Sequence, residues 1–216
     1  MNLLLFGPPG AGKGTQADLI SKKFNLKQIS TGNILREEVS KNTLLGKEIE
    51  SIISKGNLVS NDIVNKLVEN ILSNSFYNEK IIFDGYPRNI NQAKDLEKLL
   101  IKYKQKISAI IYLYVSKKSI ETRIENRIFC KKCQKTFNQL HNPSNLASHT
   151  CGTKYLTKRS DDNIDIILRR YDNYQKLANP LLEHYKKFPF FHEIDGSRKI
   201  DEISNEINTI LSNIMN

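Results

Sequence analysis

Short apolar runs separated by longer amphipathic stretches organise this chain. Residues 3–6 are apolar throughout and stop at Gly7, a pattern that suits a strand buried on both faces of a parallel sheet. Residues 80–83 (KIIF) and 108–115 (SAIIYLYV) repeat the pattern, and 191–194 give a shorter run closed by Asp195-Gly196. A short strand is also expected over 27–30. Between these runs apolar positions recur at helical spacing, over residues 13–24, 89–103, 116–127, 163–187 and 199–215. Strands alternating with helices predict an α/β fold, a doubly wound parallel sheet of about five strands covered on both faces.

Two stretches break the rhythm. Residues 30–59 are helical with no strand of their own beyond 27–30. Residues 128–158 are polar, with paired cysteines and an Asn142-Pro143 turn signal. Both read as insertions on a core made of residues 1–29, 60–125 and 163–216, with one lobe over 30–59 and another over 126–162. There is no internal repeat and no low-complexity tail. No apolar run approaches the 18 or so residues a membrane span needs. The start, Met1 to Phe6, lacks a basic region and runs straight into glycines, so no signal peptide is expected.

Composition sharpens the functional classes. The 216 residues are 39% apolar, enough for a core, and the net charge is +10 with a pI near 9.4. That balance points to anionic partners: nucleotides, nucleic acid or an acidic surface. Only eight of the 33 basic residues are Arg: Arg36, Arg88, Arg123, Arg127, Arg159, Arg169, Arg170 and Arg198. A chain that otherwise uses Lys places Arg where a planar, bidentate phosphate clamp is useful. Three cysteines, two of them as Cys130-x-x-Cys133, are not a disulfide scaffold. They indicate a reducing cytosol and a candidate metal site. Cys151 lies at a suitable distance for the second half of a zinc knuckle. The fourth ligand is open between Ser148, at the expected spacing but a poor ligand, and the adjacent His149.

The strongest motif is Gly7-Pro8-Pro9-Gly10-Ala11-Gly12-Lys13-Gly14-Thr15. It fits G-x-x-x-x-G-K and sits between a predicted strand and a predicted helix, the setting of a phosphate loop. Glycines let backbone N–H groups turn toward phosphate oxygens, and the helix start adds positive partial charge. Gly14 follows Lys13 where many such loops have Ser or Thr, with Thr15 one step later, so magnesium is expected to be held differently.

With that departure the loop resembles the phosphate loop of adenylate kinases, within the nucleoside-monophosphate kinases with a long lid. The resemblance continues through Thr31-Gly32-Asn33-Ile34-Leu35-Arg36, Asp84-Gly85-Tyr86-Pro87-Arg88 with Gln92, Arg123 and Arg127, Arg159-Ser160-Asp161-Asp162, Arg170 and Asp195-Gly196. It runs along nearly the whole chain in the family's order. It implies the reversible, magnesium-dependent reaction ATP + AMP ⇌ 2 ADP, by a cytoplasmic monomer without nucleic-acid or membrane partners that balances adenine nucleotides.

The resemblance also implies roles. Gly10, Ala11, Gly12, Lys13, Gly14, Thr15, Arg123 and Arg127 would hold ATP, with Thr136 and Phe137 against its adenine or ribose and Arg198 near its base. Thr31, Arg36, Gly85, Tyr86, Pro87, Arg88 and Gln92 would hold AMP, Tyr86 chiefly by packing, with Asn57, Leu58 and Val59 lining the adenine. Arg159 and Arg170 would stand between the nucleotides, and Asp84 would orient hydrated magnesium. Lys13, Asp84, Arg88, Arg123, Arg159 and Arg170 make the catalytic set, and Asp161 and Asp162 would help close the lid. The pair also reads as a cap for the helix that follows. The family usually has Asp where Asn33 stands, which removes a carboxylate from the surroundings of the magnesium. A structural zinc in the lid would involve Cys130, Cys133 and Cys151.

The same residues make sense as physics. Phosphoryl transfer needs two nucleotides in line, charge neutralised and water excluded. Two lobes folding over a phosphate loop meet that need. The alternatives are a kinase of UMP or CMP with the same fold, which the long lid argues against, and a nucleic-acid-binding P-loop protein. The latter predicts basic residues gathered with aromatics on one face, whereas the lysines here are spread along helices.

Overall fold

The computed structural model describes residues 1–140, 146–159 and 162–215. Its central sheet has five parallel strands in the order β2 (Lys27–Ser30), β3 (Ile81–Asp84), β1 (Asn2–Phe6), β4 (Ile107–Tyr114) and β8 (Phe191–Asp195). The predicted doubly wound α/β architecture is the one observed. The chain leaves β1 toward β2 and β3 on one side and returns to β4 and β8 on the other. The order therefore reverses at the carboxyl end of β1, where Gly7 begins the loop and where an open α/β sheet leaves a crevice.

The apolar runs are continuous because alternate side chains enter two separate cores. Leu4 and Phe6 join Ile81, Phe83, Ile110 and Tyr112 on one face, while Leu3 and Leu5 join Ile82, Ala109, Ile111 and Leu113 on the other. Helices α4 (Asn61–Leu72), α5 (Ile90–Lys102) and α7 (Ile164–Tyr185) supply Val68, Leu96 and Leu181 to the first layer. Helices α1 (Lys13–Phe24), α6 (Lys117–Glu125) and α8 (Ile200–Met215) supply Ile20, Ile120 and Ile207 to the second. Each such side chain contributes roughly 1.5–3 kcal/mol of burial.

Helix α1 matches its predicted range. Helix α4 is not among the helices predicted above, although Val64, Val68 and Leu72 are buried at a spacing of four. The predicted helix over 116–127 ends early, at Glu125, because Arg127 is taken into a strand opposite Asn138. Helices α2 (Thr31–Ser40) and α3 (Leu44–Ser54) fill the first insertion. They approach closely at Gly46, where an added Cβ would lie 2.6 Å from the Glu38 carbonyl oxygen. Leu35 and Ile49 from these helices enter the first core layer.

The second insertion is not merely polar loop. Strands β5 (Arg127–Cys130), β6 (Thr136–Asn138) and β7 (Leu156–Thr157) form a small antiparallel sheet with β5 in the centre. The Asn142-Pro143 turn, Ser160 and Asp161 lie outside the described residues. No described helix is long and apolar enough to cross a membrane.

Candidate active site

A polar cavity of about 1030 Å³ opens at the carboxyl ends of the strands, between the loop after β1, the end of β3, helix α2 and the small antiparallel sheet. The loop is shaped by glycines that no other residue replaces without strain. Gly7 passes so close to β4 that an added Cβ would sit 2.3 Å from the Leu113 carbonyl oxygen. Gly10 and Gly12 have φ of 83° and 94°, and Gly12 directly precedes α1. The backbone N–H groups at the start of α1 consequently border the cavity.

Lys13 folds back into this loop. Its Nζ donates to the carbonyl oxygens of Gly7 and Pro8, each at 2.9 Å. Burial pulls its pKa down to about 8. Asp84 opposes the fall, and the guanidinium groups of Arg88, Arg170 and Arg127 reinforce it. Asp84 ends β3, is nearly buried, and accepts from Gln28 Nε2 at 2.9 Å. Gly14 faces it, so a side chain at that position would stand 3.9 Å from Asp84 Oδ2.

Beyond Asp84 the chain turns at Gly85 (φ 72°), whose carbonyl oxygen accepts from Thr31 Oγ1 at 3.1 Å and Arg88 Nε at 2.8 Å. Gln92 Oε1 accepts from the Arg88 backbone N–H at 2.8 Å, and Gln92 Nε2 donates to Asn61 Oδ1. Arg36 lies over Gly32 and donates to Asn33 Oδ1, with all three lining the cavity. Tyr86 is only 1% exposed, and its hydroxyl donates to Asn65 Oδ1 at 2.7 Å. Like Val59 it belongs to the core layer beneath. Thr31, Asn57, Leu58, Pro87 and Gln92 are also absent from the cavity lining.

On the other side of the phosphate loop, Arg123 donates to the carbonyl oxygens of Ala11 (3.3 Å) and Gly196 (2.6 Å), tying the loop to the segment after β8. Arg127 pairs with Asp162 through two hydrogen bonds. Arg159 donates to Thr136 Oγ1 at 2.6 Å and covers the Phe129 ring at 4.8 Å. Arg170 projects from α7 against Gly56, an added Cβ of which would lie 3.2 Å from Arg170 Cγ. Arg198 is paired with Glu206 and lines the cavity, while Arg169 is exposed. Phe137 packs its ring on His149, centroids 4.8 Å apart. The cavity thus gathers Lys13, Asp84, Arg36, Arg88, Arg123, Arg127, Arg159 and Arg170 from elements far apart in the chain.

Sequence reasoning did not single out Gln28, which holds Asp84, or Asn61, which holds Gln92. Gln16 was also missed. It is 2% exposed and bonds to the Ile200 carbonyl, joining α1 to α8. These are ordinary polar residues in regular elements, and only their tertiary neighbours mark them out.

At the base of the small sheet, one donor atom each from Cys130, Cys133, His149 and Cys151 lies within 4.8 Å of the others. His149, not Ser148, completes the set. Cys130 has a pKa of about 6: burial opposes ionisation, but the backbone N–H groups of Cys133 and Lys132 and the His149 ring outweigh it. Cys151 is pushed up by burial and by the two neighbouring thiols. Three thiols and an imidazole at this span are the donor set of a tetrahedral structural metal site.

A family model described as adenylate kinase matches residues 5–189. The adenylate kinase of Pelagibacter ubique (strain HTCC1062) is 52% identical over 98% of this chain and 99% of its own length. That of Petrotoga mobilis (strain DSM 10674 / SJ95) is 40% identical over 98% and 97%, and that of Limosilactobacillus fermentum (strain NBRC 3956 / LMG 18251) 35% identical over 99% and 100%. With its phosphate loop, its arginine-lined cavity and these likenesses along nearly its whole length, the chain belongs to the adenylate kinase family, enzymes that carry out ATP + AMP ⇌ 2 ADP.

Proposed function

We propose that this cavity is where the chain binds ATP and AMP together and passes the γ-phosphoryl group between them, with the residues in the following roles. The observation that carries the assignment is the convergence of Lys13 and the guanidinium groups of Arg36, Arg88, Arg123, Arg127, Arg159 and Arg170 on one space beside the Asp84 carboxylate. Little covalent work is asked of the protein; positioning and charge compensation suffice.

ATP lies with its phosphates over Gly10–Thr15. Lys13 and Arg123 meet the phosphates from the loop side and Arg127 from the small sheet, while Thr136, Phe137 and Arg198 border the nucleoside. AMP lies beyond Asp84. Arg36 and Arg88 hold its phosphate, Thr31 and Gln92 fix the turn at Gly85, and Asn57 to Val59, which lie outside the cavity lining here, border its base once residues 30–59 close over it. Arg159 and Arg170 reach between the two phosphates, where negative charge spreads during transfer. Arg36, Arg88, Arg123 and Arg127 now rest on an amide, backbone carbonyls or a carboxylate. Nucleotide phosphates exchange for those partners when they bind.

Magnesium, which ATP brings with it, supplies charge neutralisation between the phosphates. The arrangement of Asp84 fits a hydrated ion: Gln28 takes one oxygen, and Gly14 leaves open space in front of the carboxylate. The Asn33 amide removes a second negative charge from this region.

Residues 1–29, 60–125 and 163–216 act as the core, 30–59 as the AMP lobe and 126–162 as a lid. Zinc held by Cys130, Cys133, His149 and Cys151 ties the lid's strands together, a role suited to a lobe too small for its own core. The free thiols fit a reducing cytoplasm.

The test is ADP formation measured by a coupled assay with ATP and each of AMP, CMP, UMP and GMP. AMP is expected to turn over far faster than the others. Preference for CMP or UMP would replace the acceptor assignment with that of a pyrimidine kinase.

A further inference from the structure

The chain's positive charge is not evenly placed. Seven of its 33 basic residues, and none of its 23 acidic ones, fall within residues 126–160. The rest of the chain is close to balance, with 26 basic against 23 acidic residues, so this segment carries most of the net +10. Two of the seven are Arg127 and Arg159, already described. The other five, Lys131, Lys132, Lys135, Lys154 and Lys158, are all exposed.

Lys22, Lys41, Lys98, Lys102, Lys117 and Lys186 each reach a carboxylate. Among the described residues none of the five lid lysines does. Lys132 and Lys154 instead lie over the Tyr155 ring, at 5.5 and 5.2 Å, and Lys158 donates to the Glu125 carbonyl. Lys132 and Lys135 line the cavity, whereas Lys131, Lys154 and Lys158 do not. Charges that neither pair with a carboxylate nor touch the site add little to the fold, and crowding them costs self-repulsion. They do create a field of one sign beside the mouth of a polar cleft, which raises the local concentration of an oppositely charged ligand.

We propose that the stretch 126–160 of the lid, which holds no acidic residue, is an electrostatic collector for the donor nucleotide: lysines outside the binding site, Lys131 and Lys154 foremost, speed capture of the triphosphate tail without contacting it when bound. This rests on the placement of the donor beneath the small sheet. The triphosphate is anionic with or without its magnesium, and the lid lysines extend the positive charge of the cavity outward to its mouth. Capture should depend on ionic strength, because screening shortens the reach of the field from about 30 Å at 0.01 M salt to about 8 Å at 0.15 M.

The experiment compares Lys131→Glu/Lys154→Glu with Lys80→Glu/Lys106→Glu. The second pair lowers net charge equally but precedes β3 and β4, at the amino ends of the strands, opposite the cavity. Steady-state rates are measured from about 0.01 M to about 0.5 M salt. At low salt the lid pair is expected to lower kcat/KM for ATP about tenfold, with kcat unchanged and KM for AMP within about twofold. At high salt the loss shrinks below about twofold, while the control pair stays near the unaltered enzyme throughout. If the reversed pair unfolds, Lys131→Gln/Lys154→Gln carries the test, with about a threefold loss expected at low salt. A lid variant indistinguishable from the unaltered enzyme at low salt, or an equal loss in the control pair, overturns the proposal. Absence of ATP:AMP transfer in the unaltered protein would instead remove the site assignment on which it stands.

Discussion

Replacing Lys13 by Met separates what this lysine does for transfer from what its charge costs the fold. Burial is the first reason that its pKa falls from 10.5 to about 8, and Arg88, Arg170 and Arg127 deepen the fall against the pull of Asp84. At about 1.4 kcal/mol per pKa unit, the gap represents about 3 kcal/mol of unfavourable charge in the empty site. Below pH 8 the amine is charged in both folded and unfolded chains, and this cost is fully present. Between pH 8 and 10.5 the folded protein gives up the proton while the unfolded chain keeps it. The unfolded state then binds more protons, so the free energy of unfolding rises with pH. Methionine is similar in length and cannot titrate, and subtracting one protein's profile from the other cancels every shared group. At neutral pH the two proteins should be nearly equal in stability. Relief of the buried charge favours the variant, but it is offset by loss of two charge-assisted bonds to Gly7 and Pro8, each worth about 1.5 kcal/mol or more. By pH 10.5 the unaltered protein should have gained about 3 kcal/mol on the variant. Urea unfolding followed by circular dichroism at pH 7, 8, 9 and 10 measures the difference. A difference that stays flat with pH would refute the claim that Lys13 is held as a desolvated charge. Transfer should meanwhile fall far more than tenfold; a barrier change under about 1.4 kcal/mol would remove Lys13 from the chemistry.

Arg88→Ala should raise KM for AMP by tenfold or more, a loss of about 1.4 kcal/mol, and leave KM for ATP little changed; if only ATP weakened, the two nucleotide sites would have to be exchanged. Tyr86→Phe should destabilise the fold by about 1 kcal/mol through loss of the hydrogen bond to Asn65 yet leave KM for AMP alone, and a selective rise in that KM would make Tyr86 a ligand after all. Protein purified without chelator should carry one zinc per chain by elemental analysis and melt lower after EDTA, with His149→Ala binding the metal more weakly; absence of zinc together with an unmoved melting curve would leave the lid to its hydrogen bonds. Gln134 has φ 59° beside Cys133, so Gln134→Gly should stabilise the protein by about 1 kcal/mol in urea unfolding, and a loss of stability would show that the glutamine side chain matters more than the backbone strain.

Much was legible in the chain itself because it depends on local physics. A strand buried on two faces must be apolar at every position, so residues 3–6 and 108–115 declared themselves. A phosphate loop must have glycine where φ is positive or a neighbouring backbone passes close, and Gly7, Gly10 and Gly12 stand at such places. Arginines in a lysine-rich chain were equally telling, since a planar fork has a use that a point charge lacks. Other features were decided only by tertiary structure. Whether Ser148 or His149 joins the three cysteines depends on how the chain folds back around Cys151, and a shift of one residue changes the ligand. Tyr86 belongs to a motif that suggests nucleotide contact, yet the turn at Gly85 sends its ring into the core. Arg127 reads as the end of a helix but becomes a strand because Asn138 lies opposite it. Gln28, Asn61 and Gln16 have no local signature at all; each matters through one hydrogen bond to a residue at least 31 positions away. Propensity and pattern act over a few neighbouring residues, and a site assembled from strand ends, loops and lobes is fixed by which distant residues the sheet order brings together.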